Sequence, residues 1–161
     1  MNNTIHSLDD FEGMRKAGNL AASTLDLLVE KVKPGVSTEE LDNIAFDYIV
    51  SHGGLIAPLF YKGYPKSVCT SINHVICHGI PSSRILENGD IVNIDVTVIV
   101  DGWHGDTSRM FPVGKINAKA QKLIDCTFQA MHEGINAAQP DATLGDLSLI
   151  HISEPTRHVD I

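Results

Sequence analysis

Two aspartates within a short, mostly apolar stretch are the residues of this chain best placed to do chemistry. Asp95 and Asp106 lie on either side of Asp101-Gly102, in runs rich in β-branched residues. An Asp-Gly pair between such runs predicts a two-residue hairpin, because a type I′ turn needs positive φ at both central positions. That turn places Thr97 opposite Asp106 and Asp95 opposite Ser108. Since side chains alternate between faces, Asp95 and Asp106 become diagonal neighbours on one face.

Two neighbouring carboxylates repel each other, and a cation bound between them would reverse the sign of that interaction. At about 6 Å and an effective dielectric constant near 20, the repulsion is roughly 3 kcal/mol. Carboxylate oxygens suit Mn, Mg, Fe, Co or Zn. The plain alternative is a solvent-facing strand surface on which acids only aid solubility, since half-solvated antiparallel sheets are common. The hairpin alone leaves both interpretations open.

The two faces of the predicted hairpin differ sharply in polarity. One face is apolar and predicts core: Val92, Ile94, Val96, Val98, Val100, Trp103 and Phe111. The other face is polar and carries the candidate site: Asn93, Asp95, Thr97, His104, Asp106 and Ser108. The apolar face needs a covering layer, which the rest of the chain must supply.

Helices are predicted where apolar residues recur at helical spacing. One runs over about 9–32 with Asp9 or Asp10 as N-cap, and another over about 118–138. Between them, Ser37 followed by Glu40 forms a capping box that opens a helix, which Gly53-Gly54 ends. Short strands punctuated by proline and glycine are predicted from 55 to 81. Helices and strands together predict an α/β fold.

A weak internal repeat predicts two similar halves. Each half reads as a long helix, a proline turn, a hydroxyl cap and a next helix. Three residues of the first turn return at a constant spacing in the second: Pro34, Ser37 and Leu41 as Pro140, Thr143 and Leu147.

Composition and charge exclude several classes of protein. The chain has 161 residues and a formal net charge of −8, which argues against a nucleic-acid or anionic-membrane surface. We find no secretory signal and no run of the roughly 20 apolar residues that a membrane span needs. The cysteines Cys69, Cys77 and Cys126 show no CxxC spacing, which favours reduced thiols in the cytoplasm. A catalytic thiol at Cys77 beside His78 is disfavoured, because adjacent residues on an extended chain point apart.

The last residues, 149–161, do not continue the helical pattern that begins at Thr143. Pro155 would break a helix there. His151 and His158 resemble metal ligands by residue type, but an unstructured or foreign tail is the preferred interpretation. We therefore predict a partial domain over residues 1–148 followed by this tail.

Three linked strings carry a resemblance to a known family: Gly63–Pro81, Asn88–Thr97 and His104–Ser108. They closely resemble type I methionine aminopeptidases, and the resemblance runs over roughly residues 5 to 148. It implies the pita-bread (creatinase/aminopeptidase) fold, an α/β architecture of two pseudo-symmetric halves that agrees with the weak repeat. Here the fold would be truncated after the first half and the start of the second.

The resemblance also implies a site that holds two divalent cations (Co, Mn, Fe or Zn). Such a site uses two aspartates, a histidine and two glutamates, and the aspartates map onto Asp95 and Asp106. Nothing after Ser148 matches the segment that carries the other three ligands, and Glu154 stands in the wrong context to replace one. The resemblance thus predicts two metal ligands in this chain and an inactive truncated form.

Other residues take roles from the same resemblance. His78 maps onto a catalytic histidine that contacts the substrate and helps to position or protonate it. Thr97 maps onto a residue that orients a ligand carboxylate, a common device in metal sites. Tyr61 and Tyr64 lie where the family lines its substrate pocket for methionine, although packing alone would explain both tyrosines equally well.

The implied function is removal of the N-terminal initiator methionine from nascent polypeptides. We expect a cytoplasmic monomer that meets its substrate at or near the ribosome, without nucleic-acid specificity and without a membrane. One alternative is a non-catalytic pita-bread module that binds peptides or ribosomes, for which loss of the acids would be expected. Another is a related enzyme that cleaves Xaa-Pro bonds, against which the motif Cys77–Pro81 and the short N-terminus argue. Retention of Asp95, Asp106 and His78 favours descent from the aminopeptidase.

Overall fold

The computed structural model describes residues 6–148, which fall into two compact units that divide between Ile116 and Asn117. The first unit contains α1 (Leu8–Leu28), α2 (Thr38–Ser51), β1 (Leu55–Ile56), a 3-10 turn (Tyr61–Gly63), β2 (Cys69–Ile72), β3 (Ile91–Val100) and β4 (Trp103–Pro112). The second unit contains α3 (Ala118–Ala137) and α4 (Leu144–Ser148). The predicted α/β class is confirmed. The predicted tail, with His151 and His158, lies outside the described residues, so the division after residue 148 stays a prediction.

The hairpin of β3 and β4 has the predicted register. The strands are antiparallel, with Val100 opposite Trp103, Thr97 opposite Asp106 and Asp95 opposite Ser108. Both turn residues have positive φ, 51° at Asp101 and 87° at Gly102. The Asp-Gly turn therefore sets the register as the sequence predicts.

Strand β3 is the centre of the sheet. β4 pairs along its whole length, while β1 and β2 pair with different parts of it, and all three pairings are antiparallel. In the β2 pairing, Cys69 lies opposite Asp95 and Ser71 opposite Asn93. Paired residues share a face, so β2 contributes Cys69 and Ser71 to the polar face of the sheet.

The apolar face of the sheet is the core of the first unit. Its central residues are fully buried: Val92, Ile94, Val96 and Val98. Buried side chains of α1 and α2 belong to the same core cluster: Ala17, Ala21, Leu25, Leu28, Leu41, Ala45 and Ile49. At Gly105 of β4, a Cβ atom would lie 2.3 Å from the backbone of Ala17. Because no side chain fits there, α1 rests directly on β4 beside Asp106.

Two predictions about α1 are wrong. Its N-cap is Ser7 and not Asp9 or Asp10: the Ser7 hydroxyl accepts from the Asp10 amide, and the Asp10 carboxylate accepts from the Ser7 amide at 2.7 Å. Asp10 thus serves as the third helical residue of a capping box. The helix also ends at Leu28 instead of about residue 32, and the turn that follows has the amides of Lys31 and Val32 both donating to the Leu28 carbonyl.

The predicted hydroxyl caps are present in both units. The Ser37 hydroxyl accepts from the Glu40 amide at 3.1 Å, and the Thr143 hydroxyl accepts from the Asp146 amide at 3.2 Å. The predicted capping box at Ser37 is only half formed in the described structure, because the Glu40 carboxylate does not accept from the Ser37 amide. Among residues 6–148, no helix is long and apolar enough to cross a bilayer.

We predict that Thr70→Val stabilises the first unit. The Thr70 side chain is only 4% exposed, and its hydroxyl has no hydrogen-bond partner within the described part of the chain. Because an unsatisfied buried hydroxyl costs about 1–3 kcal/mol, its replacement by a methyl group should raise the free energy of unfolding by about 1 kcal/mol. Urea denaturation measures this change.

Thr24→Val is the matched control for that measurement. Thr24 is also buried, but its hydroxyl donates to the Leu20 carbonyl at 2.8 Å. We expect no gain from Thr24→Val. A loss of stability in Thr70→Val would contradict the prediction and show that the hydroxyl has a partner.

Candidate active site

The polar face of the sheet brings together the residues predicted to bind metal. Asp95, Thr97 and Asp106 all lie on the side of the sheet opposite the core. Thr97 faces Asp106 directly, and its hydroxyl donates to Oδ1 of Asp106 at 3.1 Å. This hydrogen bond fixes one oxygen of the Asp106 carboxylate. It is the geometry expected of a residue that orients a ligand carboxylate.

Asp95 lies in an unfavourable environment for a negative charge. It is half-buried, whereas Asp106 is exposed. Burial raises the pKa of the Asp95 carboxyl, and the neighbouring Asp106 carboxylate raises this pKa further, while His78 lowers it. Asp95 is therefore within electrostatic reach of both predicted site residues, and the two carboxylates repel each other.

These two acids are not part of a larger ligand cluster in the described structure. Among residues 6–148, no group of three or more His, Cys, Asp and Glu residues is arranged to hold a metal ion. The described residues therefore contribute a pair of carboxylates and no complete cation site.

His78 lies in the exposed loop that follows β2, and its backbone is in the left-handed region with φ of 54°. For a residue other than glycine this conformation costs roughly 1–2 kcal/mol, so it persists only where the surrounding structure imposes it. The next residue, Gly79, is hydrogen-bonded to β2 through both of its main-chain polar groups. The Gly79 carbonyl accepts from the Thr70 amide at 2.8 Å, and the Gly79 amide donates to Oγ of Ser71 at 3.1 Å.

Gly79 fits this position because it has no side chain. A Cβ atom there would lie 2.2 Å from the Thr70 carbonyl oxygen, far inside van der Waals contact. The main chain beside His78 is thus pressed against β2. Gly79, the glycine of the Cys-His-Gly-Ile-Pro string, allows this close contact between the two main chains. Its position directly after the histidine could have suggested this role from the sequence.

The two tyrosines predicted to line a substrate pocket have different environments. Tyr61 is exposed, and Nζ of Lys62 lies 5.5 Å from the centre of its ring. Tyr64 is half-buried, and its hydroxyl places its one proton between two carbonyl oxygens, that of Val68 at 2.9 Å and that of Gly79 at 3.2 Å. Burial raises the pKa of Tyr64, so its hydroxyl remains a proton donor.

Cys69 and Ser71 are site neighbours that the sequence reasoning missed. Cys69 is buried directly opposite Asp95, and burial raises the pKa of its thiol. Cys77, the cysteine considered from sequence, is exposed. Strand alternation in β2 would have placed Cys69 and Ser71 on the site face once its pairing with β3 was known.

The chain is similar in sequence to a family of metallopeptidases and to individual methionine aminopeptidases. The family model described as metallopeptidase family M24 matches residues 12–157. A methionine aminopeptidase from Rickettsia prowazekii (strain Madrid E) is 54% identical over 154 residues, which cover 96% of this chain and 60% of that protein. A methionine aminopeptidase from Escherichia coli (strain K12) is 50% identical over 146 residues, 89% of this chain and 55% of that protein.

A solved structure supports the same relationship. The crystal structure of methionine aminopeptidase from Rickettsia prowazekii matches with a TM-score of 0.91 and 55% identity, over 92% of this chain and 60% of that one. The chain thus spans about 60% of the length of this relative. Its pita-bread fold, predicted from sequence, is shown by this structural match and by the family model. The chain belongs to metallopeptidase family M24.

Proposed function

We propose that the protein to which residues 6–148 belong removes the N-terminal methionine from nascent polypeptides by metal-dependent hydrolysis. One observation carries the proposal: Asp95 and Asp106 share one face of the hairpin, and Thr97 orients Asp106. This arrangement stands in a chain that is 54% identical to a methionine aminopeptidase. These residues would form one wall of the site.

The carboxylates fit a divalent cation by chemistry and by charge. Their oxygen donors suit Co, Mn, Fe or Zn, and a positive charge would offset both the burial and the repulsion from Asp106 that raise the pKa of Asp95. We propose that Asp95 and Asp106 help to hold two such cations, with further ligands from elsewhere in the whole protein. When bound, the cations would polarise the scissile carbonyl and lower the pKa of water, which supplies a nucleophile near neutral pH.

The other residues would handle the substrate. His78 is exposed on its loop within electrostatic reach of Asp95, so its imidazole is free to contact the peptide and to position or protonate it. The exposed ring of Tyr61 and the ring of Tyr64 would contact the apolar methionine side chain. Because the one proton of the Tyr64 hydroxyl is already shared between two carbonyls, its ring is the part of the side chain left for this contact.

The alternative function is a non-catalytic pita-bread module that binds peptides or ribosomes. Such a module would gain stability by losing one of the two repelling carboxylates, yet both are present. The net charge of −8 offers no general attraction to ribosomal RNA. We therefore favour the enzyme over the binding module. For the whole protein we also propose contact with the ribosome, a monomeric state and a cytoplasmic location.

Residues 6–148 are also proposed to be insufficient for catalysis by themselves. They supply two carboxylates and His78, and no cluster of three or more potential ligands occurs within this described range. A pair of carboxylates binds divalent cations far more weakly than the larger ligand sets of metalloenzymes.

The repulsion between the acids predicts how stability depends on charge at Asp106. Without metal at pH 7, Asp106→Asn should raise the free energy of unfolding by up to about 1 kcal/mol, since the exposure of Asp106 screens the interaction. Because the pKa of Asp95 is raised in the fold, stability should also rise as pH falls from neutral towards the ordinary aspartate value. That rise should be smaller in the variant. Thermal unfolding across this pH range measures both effects.

Asp47→Asn is the control, because Asp47 is exposed on α2 and its loss changes the net charge equally. Asp47→Asn should leave the stability and its pH dependence unchanged. Equal stabilisation by both variants would show a general charge effect and contradict a specific repulsion at the site.

The proposed activity is tested with this chain and with a chimera. In the chimera, residues 1–148 are joined to the remaining C-terminal part of the Rickettsia prowazekii relative. With added Mn²⁺ or Co²⁺, the chimera should release methionine from a Met-Gly-Met peptide, and the 161-residue chain should show negligible release. Asp95→Asn in the chimera should lower turnover at least about a hundredfold, because a metal ligand is lost.

Two results would contradict parts of this account. If the chimera folds and binds metal but releases no methionine, the proposed activity is refuted. Metal-dependent turnover by the 161-residue chain at the rate of the chimera would show that residues 6–148 are sufficient, or that His151 or His158 replaces a missing ligand.

A further inference from the structure

We propose that Tyr64 and Ser71 are positioning residues that hold His78 in its left-handed conformation by fixing Gly79. We call the contacts of Tyr64, Thr70 and Ser71 with Gly79 the clamp. The conformational part of the inference stands on the geometry alone. Its catalytic consequence rests on the proposed function, in which His78 contacts the substrate.

Three hydrogen bonds of the clamp meet at one glycine. The Gly79 carbonyl accepts from the Thr70 amide at 2.8 Å and from the Tyr64 hydroxyl at 3.2 Å. The Gly79 amide donates to Oγ of Ser71 at 3.1 Å. Both polar groups of the peptide chain at Gly79 are therefore satisfied by β2 and by Tyr64. The close approach to the Thr70 carbonyl leaves the glycine no room to shift towards the strand.

The clamp adjoins the end of an exposed loop. Residues 73–78 are exposed, and His78 itself has positive φ. A left-handed histidine relaxes to more favourable dihedrals unless its neighbours prevent it. The neighbouring hydrogen bonds that prevent it are those of Gly79. Loosening them would let the His78 backbone rotate and move its imidazole relative to Asp95.

Tyr64 is suited to this role because its hydroxyl lies between two carbonyl oxygens. Its one proton is shared between the Val68 carbonyl at 2.9 Å and the Gly79 carbonyl at 3.2 Å, so one group links the residue before β2 to the end of the loop after β2. A residue that only lined an apolar pocket would not need this hydroxyl. Ser71 is buried, so its Oγ offers the Gly79 amide an acceptor shielded from water.

The first test observes the clamp by NMR in the isotope-labelled 161-residue chain. The coupling between the amide and Hα protons of His78, with its Cα shift, reports φ. Hydrogen exchange of the Gly79 amide reports its bond to Ser71. Ser71→Ala should increase that exchange about tenfold and move the His78 signals away from left-handed values. Tyr64→Phe should move the same His78 signals.

Matched variants separate positioning from general destabilisation. Ser71→Thr keeps a hydroxyl and should restore the Gly79 and His78 signals that Ser71→Ala changes. Thr70→Val alters the next residue on the same strand but keeps its backbone bond to Gly79, so it should leave both signals unchanged. Amide signals of the β3–β4 hairpin show whether each variant is folded. Should Ser71→Ala unfold, Tyr64→Phe decides the question, because it alters only a half-buried hydroxyl.

The second test is kinetic and uses the active chimera. Tyr64→Phe keeps the ring but removes the hydroxyl, so a positioning role predicts a kcat about tenfold lower with little change in KM. A role as pocket wall alone predicts an unchanged kcat. Unchanged His78 signals in folded Tyr64→Phe and Ser71→Ala would overturn the proposal, and so would an unchanged kcat. An inactive parent chimera would contradict the proposed function but leave the NMR result to judge the clamp.

Discussion

The register of the β3–β4 hairpin is the constraint on which the rest of the structure depends. A slip of one residue would turn every side chain of a strand to the opposite face, burying Asp95 and exposing Val96. The turn at Asp101-Gly102 sets the register from one end, and the contact of α1 with Gly105 holds it from the core side. Packing of the apolar face against α1 therefore fixes the register, and the register in turn places Asp95, Thr97 and Asp106 together on the polar face.

Unfavourable local features gather on that polar side. Asp95 and Asp106 repel each other, and His78 adopts a backbone conformation that favours glycine. Neither feature helps the fold, and both persist because the surrounding hydrogen bonds and packing impose them. Both features involve residues that the family resemblance marks, although positive φ also occurs at other non-glycine residues: Phe60, Lys62, Asn73, Asp101 and Asp141. In the proposed function, the two repelling carboxylates bind cations and His78 contacts the substrate.

Sequence patterns predicted the features that depend on short-range chemistry. The Asp-Gly turn and strand alternation were enough to place Asp95 opposite Ser108, and helical spacing located α1 and α3. The N-cap of α1 was missed because Ser7 and Asp10 act together across the helix end, and either of the two acids alone looks like a cap. The clamp could not be predicted, since it joins two residues of β2 to Tyr64 and Gly79, which lie in irregular segments without periodicity. The roles of Asp95, Asp106, His78, Thr97, Tyr61 and Tyr64 in catalysis or binding stay predictions.

Paramagnetic broadening by Mn²⁺ most directly tests the claim that the hairpin presents a cation site. Added in small steps to the ¹⁵N-labelled chain, Mn²⁺ should first weaken the amide signals of Asp95, Thr97 and Asp106, and Asp106→Asn should abolish this selectivity. Such a result would place the cation between the two strands. Broadening centred on another acidic region, such as Glu39 to Asp42 of α2, with the hairpin signals unchanged, would contradict the account.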